Sequence, residues 1–268
     1  MKNSVDILYI TFNRLAYTME TLPAMVENAG ADFRLTIVDN GSTDGTVDYL
    51  KNFARRHGRL ISSLRLLERN VGISRPTNEF WQASQAEFLG KVDNDTLCPP
   101  GWLARLLEAH NSSRRLGVVG GFHFNPGYVD MQGLEKRVIR VDGVQLVPDA
   151  FIGGCCYLFR RSLQRRAGLL DIGPTMTHGW TKYQEELCRR GSFNGYLWPL
   201  LMVEHFDDPL DGRNLAMTAH RENSVISMGE KGIALDHESQ LAWYARDAAR
   251  VVSGAALMRL LAGSRRLP

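Results

Sequence analysis

Phe88-Leu89-Gly90-Lys91-Val92-Asp93-Asn94-Asp95-Thr96 is an apolar run that ends in two carboxylates two residues apart, and Cys98-Pro99-Pro100-Gly101 breaks the chain just after it. In a strand, residues two apart share a face, so Asp93 and Asp95 at a strand end can converge on one hard cation. Mg²⁺ and Mn²⁺ prefer oxygen ligands, and Mg²⁺ takes one or two carboxylates together with substrate phosphates. Two solvated acids in a turn would give the same pattern. The segments on either side decide between the two.

Upstream, the same arrangement recurs three times. Residues 5–12 (Val-Asp-Ile-Leu-Tyr-Ile-Thr-Phe) read as a buried parallel strand that breaks at Asn13-Arg14. A helix follows with Leu15, Met19, Leu22 and Val26 at helical steps, ending near Asn28-Ala29-Gly30. Residues 35–38 are a second strand running into Asp39-Asn40-Gly41-Ser42-Thr43-Asp44-Gly45, and a helix with Val47, Leu50 and Phe53 comes next. Residues 64–67 are a third strand, leading through Asn70-Val71-Gly72 to a helix over residues 76–86. Strand, loop and helix in short alternation predict an α/β fold with a mostly parallel, Rossmann-like sheet flanked by helices. Ligands of such sheets bind beyond the carboxyl ends of the strands. Every polar cluster named above lies at such an end, so Asn13-Arg14, Asp39-Asn40, Asn70-Gly72 and Asp93-Asp95 fall along one rim.

Downstream the pattern changes. A short helix over residues 102–110 and a strand at Gly117-Val118-Val119-Gly120-Gly121 give way to residues 122–152, which show strands and loops without helical periodicity. Residues 151–159 read as a buried strand in which Gly153-Gly154 permits close backbone approach. Residues 181–190 read as a helix. Residues 236–262 read as one long amphipathic helix with Leu241, Tyr244, Ala248, Val251, Ala255 and Met258 along its stripe. The simplest partition is a nucleotide-binding half over 1–121, a second half of the same domain over 122–235 and a helical appendage over 236–268.

The bulk properties fit this outline. The chain has 268 residues, enough to bury a substantial core, and its 44% hydrophobic and 23% charged content is ordinary for a globular protein. A net charge of +3 suits a small anionic substrate and gives no support for nucleic-acid binding. Cys98, Cys155, Cys156 and Cys188 lack metal-type spacing and read as reduced thiols. No stretch has the roughly 18 uninterrupted apolar residues of a spanning helix. A soluble cytoplasmic protein is expected, with peripheral contact to a membrane left open.

A bound nucleotide would need hydrogen-bonding groups at the strand ends, and Asp39 or Asn40 could read a base edge or ribose hydroxyls. Arg14, Arg75 and Lys91 are candidate phosphate partners. Trp180 offers an apolar face to a sugar ring, and with His178 it flanks the region expected to hold an acceptor.

Several stretches in this order resemble the nucleotide-sugar-dependent glycosyltransferases of family 2, whose fold is called GT-A, with rhamnosyltransferase-like motifs. They are Ile10-Thr11-Phe12-Asn13-Arg14, residues 37–46 (Ile-Val-Asp-Asn-Gly-Ser-Thr-Asp-Gly-Thr), Asn70-Val71-Gly72 with Asn78, and Val92-Asp93-Asn94-Asp95-Thr96 with Pro100-Gly101-Trp102. Gly153-Gly154-Cys155, Phe159-Arg160-Arg161 and Gly168 complete the set. The resemblance covers residues 5 to about 206. It implies a nucleotide-sugar site built from Thr11, Phe12, Asn13, Arg14, Asp39, Asn40, Gly41, Asn70, Gly72, Asn78, Asp93 and Asn94. It implies Mn²⁺ or Mg²⁺ on Asp95, with Asp93 at the ribose or a metal-bound water and His205 completing the metal site. A UDP- or dTDP-linked donor and a carbohydrate, lipid-linked or small-molecule acceptor are the implied partners.

Inverting members carry a catalytic carboxylate at the start of a helix. Aligned on Leu187-Cys188, Arg190 and Gly195-Tyr196, that position falls on Gln184. Glu185 is then the expected base and Glu186 its substitute, with a retaining enzyme and a non-catalytic sugar-nucleotide-binding module as alternatives. A nucleotidyltransferase would need a glycine-rich basic loop after the first strand, where this chain has Asn13-Arg14-Leu15-Ala16. The last helix is expected to cover the domain, pair with a second copy or lie on a membrane with Arg259, Arg265 and Arg266 toward lipid phosphates.

Overall fold

β1 (Val5–Thr11) shows why its sequence is apolar at nearly every position. Ile7 and Tyr9 enter one core cluster while Leu8 and Ile10 enter the other, on the opposite face of the sheet. Parallel strands flank it on both sides, β2 (Arg34–Asp39) and β4 (Phe88–Asp93), and β3 (Ile61–Leu66) lies parallel beyond β2. The computed structural model describes residues 3–173, 179–214 and 236–264, together with Gly232 and Ala234. Among these, nine strands form one sheet in the order β3-β2-β1-β4-β9-β6-β10-β8-β7. The added strands are β6 (Leu116–Gly120), β7 (Ile139–Val141), β8 (Val144–Pro148), β9 (Cys156–Arg160) and β10 (Phe193–Leu197). Only β9 and β8 run against the direction of the rest, so the sheet is mostly parallel.

Helices cover both faces. Leu22 and Met25 of α1 (Leu15–Glu27), Leu50 and Phe53 of α2 (Thr46–Arg56), and Trp102, Leu103 and Leu106 of α4 (Trp102–Ser112) fill one side. On the other lie Phe80 and Trp81 of α3 (Ser74–Ala83), Leu163 of α6 (Arg161–Ala167), and Trp180, Tyr183 and Leu187 of α7 (Trp180–Arg189). Burying each large apolar side chain contributes roughly 1.5–3 kcal/mol, and the two layers close the sheet on both sides as a parallel sheet requires.

The structure rotates α1 away from the face that its apolar periodicity marks. Met19 is 53% exposed, while Thr18 and Thr21 are fully buried. Both threonines are turned inward by hydrogen bonds: Thr21 pairs with the Tyr9 hydroxyl at 2.9 Å and donates to the Asn94 carbonyl at 3.0 Å, and Thr18 pairs with Thr11 at 3.2 Å. Gly153-Gly154 lies in the turn ahead of β9 rather than inside a strand. A Cβ on Gly153 would stand 2.6 Å from the His123 ring, which accounts for the glycine there. Residues 122–152 include a 3-10 turn (Pro126–Tyr128) and the short helix α5 (Met131–Glu135), whose first turn is capped by Asp130 accepting from Gly133 N. One or two turns are too short to leave a periodic signature.

The C-terminal stretch is two helices, α8 (His237–Ser253) and α9 (Ala255–Ser264), separated by Gly254 in the left-handed conformation at φ 66°. The break ends the stripe, and Met258 is 67% exposed. α8 covers the domain: Ala248 and Val251 are fully buried, Arg250 pairs with the buried Asp149 at 3.0 Å, and Arg137 donates to the Val251 carbonyl. Among the described residues, no helix is long and apolar enough to cross a membrane.

Candidate functional site

The β1–α1 turn places Asn13 and Arg14 in the left-handed region, at φ 52° and 64°. Non-glycine residues adopt this conformation at a cost and persist in it where their surroundings hold them. Here the surroundings are specific. Asn13 N donates to Ser42 Oγ at 2.7 Å, and Asn13 Oδ1 accepts from Thr43 N at 2.8 Å. Asn94 Nδ2 donates to Thr11 Oγ1 at 3.0 Å. Thr11, Asn13 and Asn94 thus tie the turns after β1, β2 and β4 together.

The strain delivers the Arg14 side chain into the protein. Its guanidinium, on a side chain 9% exposed, reaches Asp95 Oδ2 at 2.8 Å and Asp207 Oδ2 at 2.6 Å. Burial works against its charge, and Asp207 and Asp95 outweigh that and raise its pKa further. For Asp95, burial likewise opposes ionisation, but His205, Arg14 and Lys91 together hold its carboxyl below the ordinary range.

Asp93 and Asp95 do not share a strand face. β4 ends at Asp93, and Asn94-Asp95 forms a turn into β5 (Thr96–Leu97). Lys91 Nζ is bonded to Asp93 Oδ1 and donates to the Gly154 carbonyl at 3.0 Å. Burial raises the pKa of Asp93, Lys91 counters it, and the nearby Asp95 adds to it.

His205 reaches Asp95 by strand pairing. β5 pairs antiparallel with β11 (Glu204–His205), setting His205 opposite Thr96, and Phe206 N donates to the Asp95 carbonyl at 2.8 Å. His205 Nε2 then lies 3.7 Å from Asp95 Oδ1, and Tyr244 Oη lies 3.2 Å from His205 Nδ1. Neighbouring ligands of an octahedral ion with bonds of about 2.1 Å are roughly 3 Å apart and opposite ones roughly 4 Å. The 3.7 Å between the His205 nitrogen and the Asp95 oxygen falls between these two values, so the pair is close enough to share one divalent ion once the side chains shift by a few tenths of an ångström. Asp207 Oδ1 is buried without a hydrogen-bond partner among the described residues. No three His, Cys, Asp or Glu side chains among the described residues converge as a complete metal cluster. An ion here would take its remaining ligands from water or from a bound diphosphate.

A second group of the expected residues forms the adjoining wall. Asp39 Oδ1 accepts from Gly41 N at 3.1 Å and Ser42 N at 2.9 Å, and Ser42 Oγ bonds its other oxygen. Asn40 donates to the Gly72 carbonyl at 3.0 Å and accepts from Val71 N at 3.1 Å, while Asn70 Oδ1 accepts from Gly72 N at 2.9 Å. Gly41, at φ 88°, passes so close to Arg69 that an added Cβ would stand 2.7 Å from its Cα. These side chains shape the two loops, and Asp39 and Asn40 are fully buried. Phe12 is half-buried at the end of β1, and Arg75 is exposed on the first turn of α3.

Other expected residues stand elsewhere. Asn78 spends its side chain on Leu170, donating to the carbonyl and accepting from the amide, both at 2.9 Å. Trp180 presents no face for a sugar: it is 6% exposed, stacks on Tyr157 at 4.5 Å and donates to the Ile152 carbonyl at 3.1 Å. Gln184 is fully buried and clamps Ile152, accepting from its amide and donating to its carbonyl, both at 2.9 Å. Glu185 and Glu186 lie on the outer side of α7, paired with Arg189 at 3.1 Å and Arg190 at 2.8 Å. His178, Arg265 and Arg266 lie outside the described residues.

Two participants in the Asp95 cluster carried no sequence signal strong enough to single them out. Asp207 follows His205 by two residues in a pair of acids that any surface loop could carry, and Tyr244 lies 39 residues from the histidine it touches.

Residues 6–166 match the model of glycosyl transferase family 2. The chain belongs to this family. By sequence, none of the curated proteins matches it. Its fold is similar to that of the mannosyltransferase PcManGT from Pyrobaculum calidifontis, solved with GDP-Man and Mn²⁺, at a TM-score of 0.60 and 19% identity over 97% of this chain and 79% of that one. S. aureus TarS 1-349 with UDP gives a TM-score of 0.60 at 15% identity, covering 75% of this chain and 60% of that one. GalNAc-T7 with UDP, GalNAc and Mn²⁺ gives 0.58 at 12% identity, over 75% and 43%. The chain thus spans about three-fifths or less of the length of the last two. This family 2 glycosyltransferase has the GT-A fold, with the Asp95 cluster at the carboxyl ends of its parallel strands.

Proposed function

We propose that this glycosyltransferase moves a sugar from a UDP- or dTDP-linked donor to an acceptor hydroxyl, with Mn²⁺ or Mg²⁺ held by Asp95 and His205. The observation that carries this reading is His205 Nε2 at 3.7 Å from Asp95 Oδ1, with Arg14 anchoring the other carboxylate oxygen. A bound divalent ion would offset the charge that the departing diphosphate gains as the glycosidic bond breaks. Arg14 holds Asp95 in one orientation, and Lys91 supplies a buried positive charge beside Asp93. Solved structures of similar fold hold nucleoside-diphosphate compounds, GDP-Man in PcManGT and UDP in TarS, which supports a nucleotide-sugar donor in the broader sense.

The stereochemical course has a second reading. Inversion needs a carboxylate to take the acceptor proton, and the inward-facing residue of α7 is Gln184, with Glu185 and Glu186 in outer ion pairs. This arrangement favours retention of anomeric configuration. Incubation with a panel of nucleotide sugars, with Mn²⁺ or with EDTA and without acceptor, tests the function. Release of a nucleoside diphosphate from one donor, only with the metal and lost in His205→Ala, supports it. Absence of both hydrolysis and thermal stabilisation by any donor refutes it. The anomeric configuration of a product, read by NMR, separates the two courses.

A further inference from the structure

Helix α8 sends one hydroxyl to the far side of the histidine. Tyr244 Oη lies 3.2 Å from His205 Nδ1, while Nε2 of the same ring faces Asp95. Tyr244 is 3% exposed, its ring stacked beside Tyr128 at 6.2 Å and 23°. A tyrosine hydroxyl is neutral near pH 7 and can both donate and accept.

We propose that Tyr244 is a positioning residue for His205, holding its ring and accepting Nδ1–H in the tautomer that can ligate a divalent cation. The proposal rests on the reading that Asp95 and His205 hold that ion. An imidazole binds a metal through a nitrogen that carries no proton, and the partner of the other nitrogen decides which one that is. Left to itself, the Asp95 carboxylate selects the wrong form, with Nε2–H directed at Oδ1. A hydroxyl serves both forms. It donates to Nδ1 when Nε2 carries the proton, and it accepts Nδ1–H when the Nε2 lone pair is turned to an ion. One relocated proton and one rotated hydroxyl interconvert them, with no movement of the rings. The C-terminal helix is by this argument a part of the site.

The test uses the full chain carrying Tyr244→Phe, which keeps the ring and its packing against Tyr128. Mn²⁺ affinity is measured from the EPR signal of the free ion, alone and with UDP or GDP, with His205→Ala in parallel and melting followed in EDTA. Tyr244→Phe is expected to weaken Mn²⁺ binding about 10- to 100-fold, with the EDTA melting temperature within about 4 °C of wild type. Unchanged affinity in Tyr244→Phe alongside weakened binding in His205→Ala overturns the proposal and leaves the metal reading standing. Unchanged affinity in both overturns the metal reading and the proposal with it. A loss of affinity together with a larger fall in EDTA melting marks Tyr244 as a packing residue and also overturns the proposal.

Discussion

Replacing Arg14 by Met removes one guanidinium and strands two carboxylates. The aliphatic stem is kept, and methionine bears the left-handed backbone no better or worse than arginine, so the loss isolates the charge. Arg14 bonds Asp95 at 2.8 Å and Asp207 at 2.6 Å, with all three side chains about nine-tenths buried. Removing one partner from a buried ion pair costs about 3–5 kcal/mol, because the remaining charge stays desolvated and uncompensated. At about 2–4 °C per kcal/mol in a domain approaching this size, the melting temperature in EDTA should fall by roughly 6–20 °C. Asp207→Asn alone should cost less, since Arg14 keeps Asp95. The double variant Arg14→Met/Asp207→Asn should melt above Arg14→Met, because it removes one of the two stranded charges. Scanning calorimetry of the four proteins closes the cycle. An Arg14→Met protein that melts within 2 °C of wild type in EDTA (about the smallest shift expected of 1 kcal/mol) would refute the reasoning, as would a double variant less stable than either parent.

Three further outcomes follow from buried groups. Burial depresses the His110 imidazole to about 4, and its Nε2 lies 3.0 Å from the Leu158 carbonyl; an unfolded histidine titrates near 6.5, so the unfolded state binds the proton first. Stability present above pH ~6.5 should then be lost as pH falls toward ~4, by about 3 kcal/mol at about 1.4 kcal/mol per unit, and the melting curve of His110→Gln against pH should be flatter across that window. Gln184→Glu sets a carboxylate against the Ile152 carbonyl in place of a donated hydrogen bond, so it should lower stability by about 1–3 kcal/mol in denaturant titrations and should not raise turnover. Gly41→Ala meets both a positive φ and the Arg69 backbone, and should destabilise by more than about 1 kcal/mol in the same assay.

The parallel half of the fold was legible because its strands are buried on both faces and its loops are short. Ile7 through Ile10 can only be apolar if both sides of β1 are covered, and that reading needs no coordinates. α1 was misjudged for a definite reason. Its inward face carries Thr18 and Thr21, whose burial is repaid by hydrogen bonds to Tyr9, Thr11 and Asn94, partners that hydropathy does not register. Asp95 and His205 were legible as a pair through the family resemblance, but the device that joins them, the β5–β11 pairing, is two residues long on each strand and leaves no pattern. The Asp93–Asp95 spacing suggested a metal through strand alternation. The carboxylates are neighbours through a turn instead, each with its own cation. Tyr244 was visible only as one member of an apolar stripe, because a stripe does not record that its hydroxyl points at a histidine.

Charge would let the proposed ion and diphosphate favour each other's binding. Among the described residues, Asp93, Asp95 and Asp207 pair with Arg14 and Lys91, so with these groups ionised and His205 neutral this set carries one surplus negative charge. That surplus is held in a buried setting, where it attracts a divalent cation and repels a free diphosphate. Adding the cation reverses the sign and leaves one surplus positive charge, which now favours the diphosphate. Each ligand therefore alters the field that the other meets, and by linkage the gain in affinity is the same whichever binds first. The same reversal bears on the reaction. In the proposed reaction, negative charge would grow on the diphosphate beside ion pairs that Arg14 and Lys91 already fix, so little reorganisation would be needed at that moment.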